Sequence, residues 1–568
     1  MKRYRSAAIA LLTVGLASCG LDQLTELEVT NENNPDRDRV LAQAQDIEGV
    51  IGGALLVWWN GTEGGNATPS WALSTAADEG TMSWGNFGMQ QLSSEPRVAW
   101  PNDPSFTYNE MTEDAWYGAY GALSSVYDGL TGIADNPDAA DLIDVDRATA
   151  FAKLVQGMGH GFLAMMFDSA FVFDENVDLD TDVLALTSYP NVYATAKAEL
   201  EEAVAAASGR GFTTEDLWFD GVPMTGDELA RLAHSYLARL MTQVARTPAE
   251  RQAVSWAEVI QHVDAGITDD IEIVSNTDRF WKALTWYGYQ TGNTTWARAD
   301  YKTIGWLDQS GNFATWLATP VAQRNDVLIT TPDRRVQGAA GPQAAGTDFI
   351  YMGPSRFPAA RGTYHYSFYG GSRYGNYPAS DGTAPVRWMT TVEMQLIKAE
   401  GLLRTSGPSQ QVADIINATR VTRGQLPPAL ASESQTDLMD KLIYEKRIEG
   451  YLLCSGCAYF DRRGFGPPAP TGPAFHQGPV EGTPTHFAPP GLELQVLQKP
   501  LYTYGGVGNE GSSLSPSPPA GAPGSSGIRS TGGRGTTVAA SSVYQPRARR
   551  VRESGFSPGA RALIGVRQ

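Results

Sequence analysis

Apolar positions recur at helical spacing through most of the chain. In NNPDRDRVLAQAQDIEGVIGGALLVWW, the residues Val40, Ala44, Ile47, Ile51, Ala54 and Leu55 fall on one helix face. Asn34 supplies an N-cap there, and Pro35 suits the first helical position, where its missing N–H costs nothing. The pattern returns in EDAWYGAYGALSSVYDGL and in DRATAFAKLVQGMGHGFLAMMFDSAF, where dense Ala and Gly permit close helix contact. YATAKAELEEAVAAA and GDELARLAHSYLARLMTQVA extend it. After an irregular middle it resumes in TTVEMQLIKAEGLLRTSG, QQVADIINATRVTRG and TDLMDKLIYEKRIEGYLL. Successive helices with small-residue faces predict a mainly α fold with the look of a helical-pair solenoid, although no fixed period of about 34 residues is present.

The middle, residues 270–388, lacks periodicity and is rich in Gly, Pro, Trp and Tyr. Loops this long in a compact domain are usually functional or disordered, and the aromatic content argues against disorder. The two ends differ from the body. MKRYRSAAIALLTVGLASCG has a basic start (Lys2, Arg3, Arg5) and a short apolar run from Ala7 to Ala17. A bilayer span needs about 20 apolar residues, so this run has the proportions of a cleavable export signal. Its end, Leu16-Ala17-Ser18-Cys19, resembles a bacterial lipobox, which implies cleavage before Cys19 and acylation of Cys19. From residue 509 the composition turns to Pro, Gly, Ser and Arg, which cannot bury enough apolar surface to fold. This tail is either a disordered extension or the product of a shifted reading frame near Gly508. The boundaries that follow are 1–18 signal, 19–35 lipidated Cys and linker, 36–508 folded body, and 509–568 low-complexity tail. Setting the +3 of the leader and the +6 of the tail against the whole-chain −19 leaves −28 for the body. So acidic a surface argues against nucleic acid as a partner.

Several blocks together resemble the SusD/RagB family of outer-membrane nutrient-binding lipoproteins. They are LEVTNENNPDRDRVLAQAQDIEGVIGGALLVWW after Cys19, LSTAADEGTMSWGNFGMQQLSSEPRVAW, MTTVEMQLIKAEGLLRTSG with INATRVTRGQLP, LIYEKRIEGYLL followed by YFDRRGFG, and GTPTHFAPPGLELQVLQKPLYTYGG. The similarity runs in order from Cys19 to Gly506; the C-x-x-C insertion and the tail depart from it. The resemblance implies a SusD-like fold of tetratricopeptide-like helix pairs with long aromatic-rich loops. It implies a lipid-anchored protein on the outer face of the outer membrane, acting as a lid over a SusC-like TonB-dependent transporter barrel. Such a protein captures oligosaccharides, or sometimes peptides, and is not an enzyme. A surface-anchored glycoside hydrolase and a peptide-binding receptor on the same fold are the alternatives.

A sugar presents a flat apolar face and a rim of hydroxyls, so its site calls for aromatic platforms flanked by amides or carboxylates. Two segments have that composition. SWGNFGMQ carries Trp84, Asn86 and Phe87. WYGYQTGNTTWARADYKTIGW carries Trp286, Tyr287, Tyr289, Gln290, Asn293, Trp296, Arg298, Asp300 and Trp306. The expected ligand-binding set is Trp84, Asn86, Phe87, Trp286, Tyr287, Tyr289, Asn293, Trp296 and Trp306. A third cluster, from Tyr364 to Tyr377, suits either a transporter-facing surface or a packed loop.

Catalytic and metal chemistry find little support. The six histidines form no H-E-x-x-H or H-x-x-x-H pair, so no zinc ligand set is visible, and no cofactor is expected. Asp178, Asp180 and Asp182 mimic the start of a calcium loop, but Val183 stands where the sharp-turn Gly belongs. Glu445, Lys446, Arg447 and Glu449 read as a structural ion-pair network. The C-x-x-C of Cys454 and Cys457 lacks the two further ligands of a zinc site and the βαβ setting of a redox dithiol. In an exported protein it is a local disulfide or two unpaired thiols.

Overall fold

A computed structural model describes residues 44–65, 68–82, 87–179, 181–276, 278–288, 297–354, 367–375, 377, 382–467 and 478–515. The leader, Cys19 and the helix start at Asn34 lie outside these residues, as does Asp180. The principal helices are α1 (Ala44–Thr62), α2 (Ser70–Ala76), α3 (Glu110–Asp135), α4 (Val145–Met166), α5 (Tyr189–Ala207), α6 (Gly226–Gln243), α7 (Trp256–Asp264), α8 (Ala283–Gly288), α9 (Thr391–Ser406), α10 (Gln410–Arg420), α11 (Gln435–Glu449) and α12 (Cys457–Arg463). No described helix is long and apolar enough to cross a membrane.

Local sequence sets the helix starts. Thr225 and Glu228 form a reciprocal capping box at α6, satisfying two backbone N–H groups that the first turn leaves unpaired. Asp144, Thr390 and Ser434 cap α4, α9 and α11 in the simpler way. The helices then stack as neighbours in a continuous series. α1 packs on α3, α3 on α4, α4 on α5, α5 on α6, α6 on α7, α7 on α9, and α9 on both α10 and α11. The mainly helical architecture expected from the periodicity is therefore the one observed. Gly61 and Gly118 show why small residues matter here, because a Cβ on either would stand 2.5 Å from the other's Cα. α1 and α3 meet backbone to backbone at that point.

Trp59, Trp71, Trp116 and Trp388 are fully enclosed in the main core, which runs through α1–α8 and the middle segment. A smaller core (Leu396, Leu403, Val412, Ile416, Leu438, Leu442) joins α9, α10 and α11. The irregular middle is closed by short antiparallel ladders. β1 (Gly80–Met82) pairs with β3 (Ala297–Ala299), β2 (Ile271–Ser275) with β6 (Ala384–Met389), and β4 (Phe349–Tyr351) with β5 (Tyr369–Gly371). Because β2 enters the middle and β6 leaves it, the insertion departs from and returns to one place on the helical frame.

The hydrogen-bonded body continues past Gly508. Thr503 and Leu514 exchange two backbone hydrogen bonds of 2.7 Å, and the Glu510 carboxylate accepts from the Gly482 N–H at 2.8 Å. Residues 509–515 thus belong to the fold rather than to the tail.

Candidate functional site

The β1–β3 ladder joins a strand that precedes one aromatic segment to a strand that follows part of the other. Its register sets Gly80 opposite Ala299, Thr81 opposite Arg298 and Met82 opposite Ala297. Segments 83–86 and 289–296 are therefore attached to the same end of the same ladder. Gly80 is required here because a Cβ would lie 2.6 Å from the Trp71 ring of α2. Trp84, Asn86, Tyr289, Gln290, Asn293 and Trp296 fall in these segments, outside the described residues.

Beside the ladder, α8 packs against α2 and β3 and carries Trp286 and Tyr287. Trp286 lies 4.7 Å from Trp281 and 6.1 Å from Tyr377, ring centre to ring centre, and Trp281 lies 5.7 Å from Tyr377. Trp281, Trp286 and Tyr287 are half-buried, whereas Tyr377 is enclosed. Gly382, at φ +77°, lies against the pair; a Cβ there would sit 2.7 Å from the Trp281 ring and 3.4 Å from Trp286. Burial pushes up the pKa of both the Tyr287 and Tyr377 phenols. The Tyr377 hydroxyl is paired with Ser275 Oγ at 2.7 Å and accepts from the Lys282 N–H at 3.2 Å. The two partly exposed indoles are inclined at 49° to one another, and each offers an apolar ring face of the kind that a sugar's C–H face requires.

The base of this nest is held from three sides. The Trp59 indole donates to the Trp281 carbonyl at 2.7 Å, and the Trp71 indole donates to the Ala283 carbonyl at 3.1 Å. Between them, the buried Lys282 ammonium donates to the carbonyls of Arg387 and Leu453. Burial depresses the Lys282 pKa to about 8.

Other residues from the same segments make contacts within the fold. Trp306 donates to the Lys302 carbonyl at 2.5 Å, and the Arg447 guanidinium lies 3.8 Å from its ring centre, covering one face. Phe87 is half-buried at φ +57°, with its ring 6.5 Å from Tyr108 and packed against the core. Arg298 is buried and donates to the carbonyls of Gly353 and Ser367, both at 3.0 Å; Asp300 is buried and caps the Lys302 N–H. Sequence reasoning missed Trp281 and set Tyr377 in a separate cluster. The signal available was four rings within FWKALTWY, of which only the last two were singled out.

The charged block on α11 is a structural network, as read. Arg335 is fully buried and pairs with Asp333 at 2.7 Å, Glu445 at 2.5 Å and Glu449 at 2.8 Å. Glu400 pairs with Arg251 at 2.7 Å, Arg404 at 2.9 Å and Lys446 at 2.9 Å. A nearby crevice lined by Glu393, Lys446, Cys457, Asp461 and Phe465 encloses about 60 Å³, whereas pockets for small ligands run to about 300–1,000 Å³. It is too small for an oligosaccharide. Glu201, Glu258 and His262 approach one another on α5 and α7, but the Lys197 ammonium stands between the two carboxylates at 2.5 and 2.9 Å. That cluster is an ion-pair knot. Cys454 and Cys457 are joined as a disulfide.

This mainly helical fold with an irregular middle is similar to that of solved SusD superfamily proteins. A SusD superfamily protein from Bacteroides fragilis aligns with a TM-score of 0.50 at 14% identity, over 80% of this chain and 98% of that one. A SusD homolog from Bacteroides thetaiotaomicron gives 0.50 at 13% identity, over 75% and 86%. Surface glycan-binding protein A from Bacteroides uniformis gives 0.50 at 13% identity, over 80% and 97%. No protein-family model matches the sequence, and no curated protein matches it. The likeness is one of fold.

Proposed function

We propose that this protein is a lipid-anchored, cell-surface glycan-binding protein that captures oligosaccharides for a SusC-like TonB-dependent barrel in the outer membrane. It changes no covalent bond in its ligand. The observation that carries this reading is the Trp281–Trp286 pair, half-buried with ring centres 4.7 Å apart beside the ladder end to which both aromatic segments are joined. The SusD-like fold supports it, and so does the fact that one protein sharing that fold is described as surface glycan-binding. Acylated Cys19 is the membrane anchor in this account, since several acyl chains together hold a protein firmly on a bilayer. The acidic body favours neutral oligosaccharides over sulfated or uronic ones, because like charge repels.

The test is to incubate the pure protein with a panel of neutral gluco-, xylo- and manno-hexaoses. Retention of one class without product supports the reading. Cleavage replaces it with a hydrolase, and retention of peptides alone replaces it with a peptide receptor. A barrel gene of the transporter class is expected beside this gene, and labelled fatty acid is expected to enter the wild type but not a Cys19→Ala variant.

A further inference from the structure

The C-x-x-C loop is built into the base of the aromatic nest. Its backbone is gripped by three buried ionisable side chains. The Glu79 carboxylate accepts from the Leu452 N–H at 2.8 Å, the Glu63 carboxylate accepts from the Ser455 N–H at 2.9 Å, and the Lys282 ammonium donates to the Leu453 carbonyl. Each comes from a segment that leads toward the nest: Glu63 follows α1, Glu79 immediately precedes β1, and Lys282 immediately precedes α8. Glu63 grips α8 as well, its own carbonyl accepting from the Ala283 N–H at 3.2 Å. Leu452 sits at φ +55° and fills the space over Gly288 at the end of α8, where a Cβ would stand 2.2 Å from its Cδ1. Tyr451 packs on Phe349 of β4 at 4.8 Å.

A buried ammonium or carboxylate that loses a hydrogen-bond partner bears the desolvation penalty uncompensated. Movement of the loop would cost Lys282 one of its carbonyl acceptors, Glu63 the Ser455 N–H and Glu79 the Leu452 N–H, so the three groups favour the loop's present position. Cys454 stands between two of the gripped groups, the Leu453 carbonyl and the Ser455 N–H, and its bond to Cys457 fixes the turn at a Cα separation of 5.4 Å.

We propose that the Cys454–Cys457 disulfide is a positioning element for the Trp281–Trp286 platform. It holds the loop where Lys282 and Glu63 can grip it, and opening it loosens α8 and the rings α8 carries. The consequence for ligand rests on the glycan-binding reading above. Cys457 and Leu453 line the small crevice beside α9 and α11. With dithiothreitol the S–S bond breaks, Cys454 and Cys457 each gain one electron and one proton, and the reagent closes to its cyclic disulfide.

The experiment compares oxidised, dithiothreitol-reduced and re-oxidised full-length protein, together with a Cys454→Ala/Cys457→Ala variant. Hydrogen exchange is followed in peptides covering 281–288 and, as a distant reference, α3 and α4. Affinity for the neutral hexaose panel is measured on the same samples. The expected result is about tenfold faster exchange at 281–288 on reduction, an unchanged reference, recovery on re-oxidation, and about tenfold weaker hexaose binding as the platform loses its preorganisation. Unchanged exchange at 281–288, or a rise spread equally over all helices, overturns the proposal. Equal hexaose affinity in both redox states overturns it too. If no hexaose is retained while exchange at 281–288 responds as expected, the glycan reading falls and the positioning role stands.

Discussion

Gly382 offers a way to disturb the aromatic nest without touching either ring. It has φ +77°, and a Cβ would lie 2.7 Å from Trp281 and 3.4 Å from Trp286. Gly311 has nearly the same backbone, φ +79°, but nothing within 4 Å of its Cβ position. Alanine at either site bears the left-handed penalty of an L-residue, about 1–2 kcal/mol. Alanine also restricts the unfolded chain equally at both sites, so that effect cancels in the comparison. Only Gly382→Ala adds a steric conflict, since carbon atoms settle at about 3.5–4.0 Å and overpacking a fitted interior costs about 1–3 kcal/mol. Urea unfolding should show Gly382→Ala less stable than Gly311→Ala by that last amount. Near-ultraviolet circular dichroism should change only for Gly382→Ala. Equal losses with unchanged tryptophan signals would mean that Trp281 and Trp286 do not pack over Gly382, and the description of the platform would be wrong.

Three further outcomes follow from buried charge and from the chain's end. Glu400→Gln should lower stability by about 3–5 kcal/mol in denaturant titration, because it leaves the fully buried Arg251 with only Asp461 as a charged partner. The cations around Glu400 hold its pKa well below the usual range, so its contribution is present above pH 4.5 and is lost as pH falls through that depressed value. Asp114 runs the other way: burial raises its pKa to about 7, so the folded state holds the proton more tightly and stability drains as pH climbs from about 4 to 7. Asp114→Asn should therefore gain stability relative to wild type at pH 8 and little at pH 4, read from unfolding midpoints. A chain ending at Gly508 should unfold at a lower midpoint than one ending at Ser515, because it lacks the Leu514 pairing and the Glu510 carboxylate.

The helical frame was legible because its signals are local. Periodicity, caps and small-residue faces act within a few residues, and α4, α6, α9 and α11 lie where their patterns lie. The nest was half legible. Trp286 and Tyr287 stood out by density, but the membership of Trp281 and Tyr377 is decided by Gly382 and by the β2–β6 closure, which no window reveals. Trp306 looked like the same kind of residue as Trp286; what separates them is Arg447, distant in sequence and seated on the Trp306 ring. The pairing of the strands that flank segments 83–86 and 289–296 depends on the register that sets Met82 opposite Ala297. Composition set the tail boundary at 509, while backbone hydrogen bonds carry the fold to residue 515. The C-x-x-C spacing suggested a local staple, and only the structure disclosed that Lys282, Glu63 and Glu79 grip its loop.

The central claim is that the Trp281–Trp286 platform binds a neutral oligosaccharide without altering it. Titration calorimetry of the wild type and a Trp281→Ala/Trp286→Ala variant against the hexaose panel tests it directly. Binding of one sugar class by the wild type, at least tenfold weaker in the variant under conditions where circular dichroism shows both proteins folded, is the predicted result. Equal affinity in the two proteins, or cleavage of the sugar by either, would contradict it.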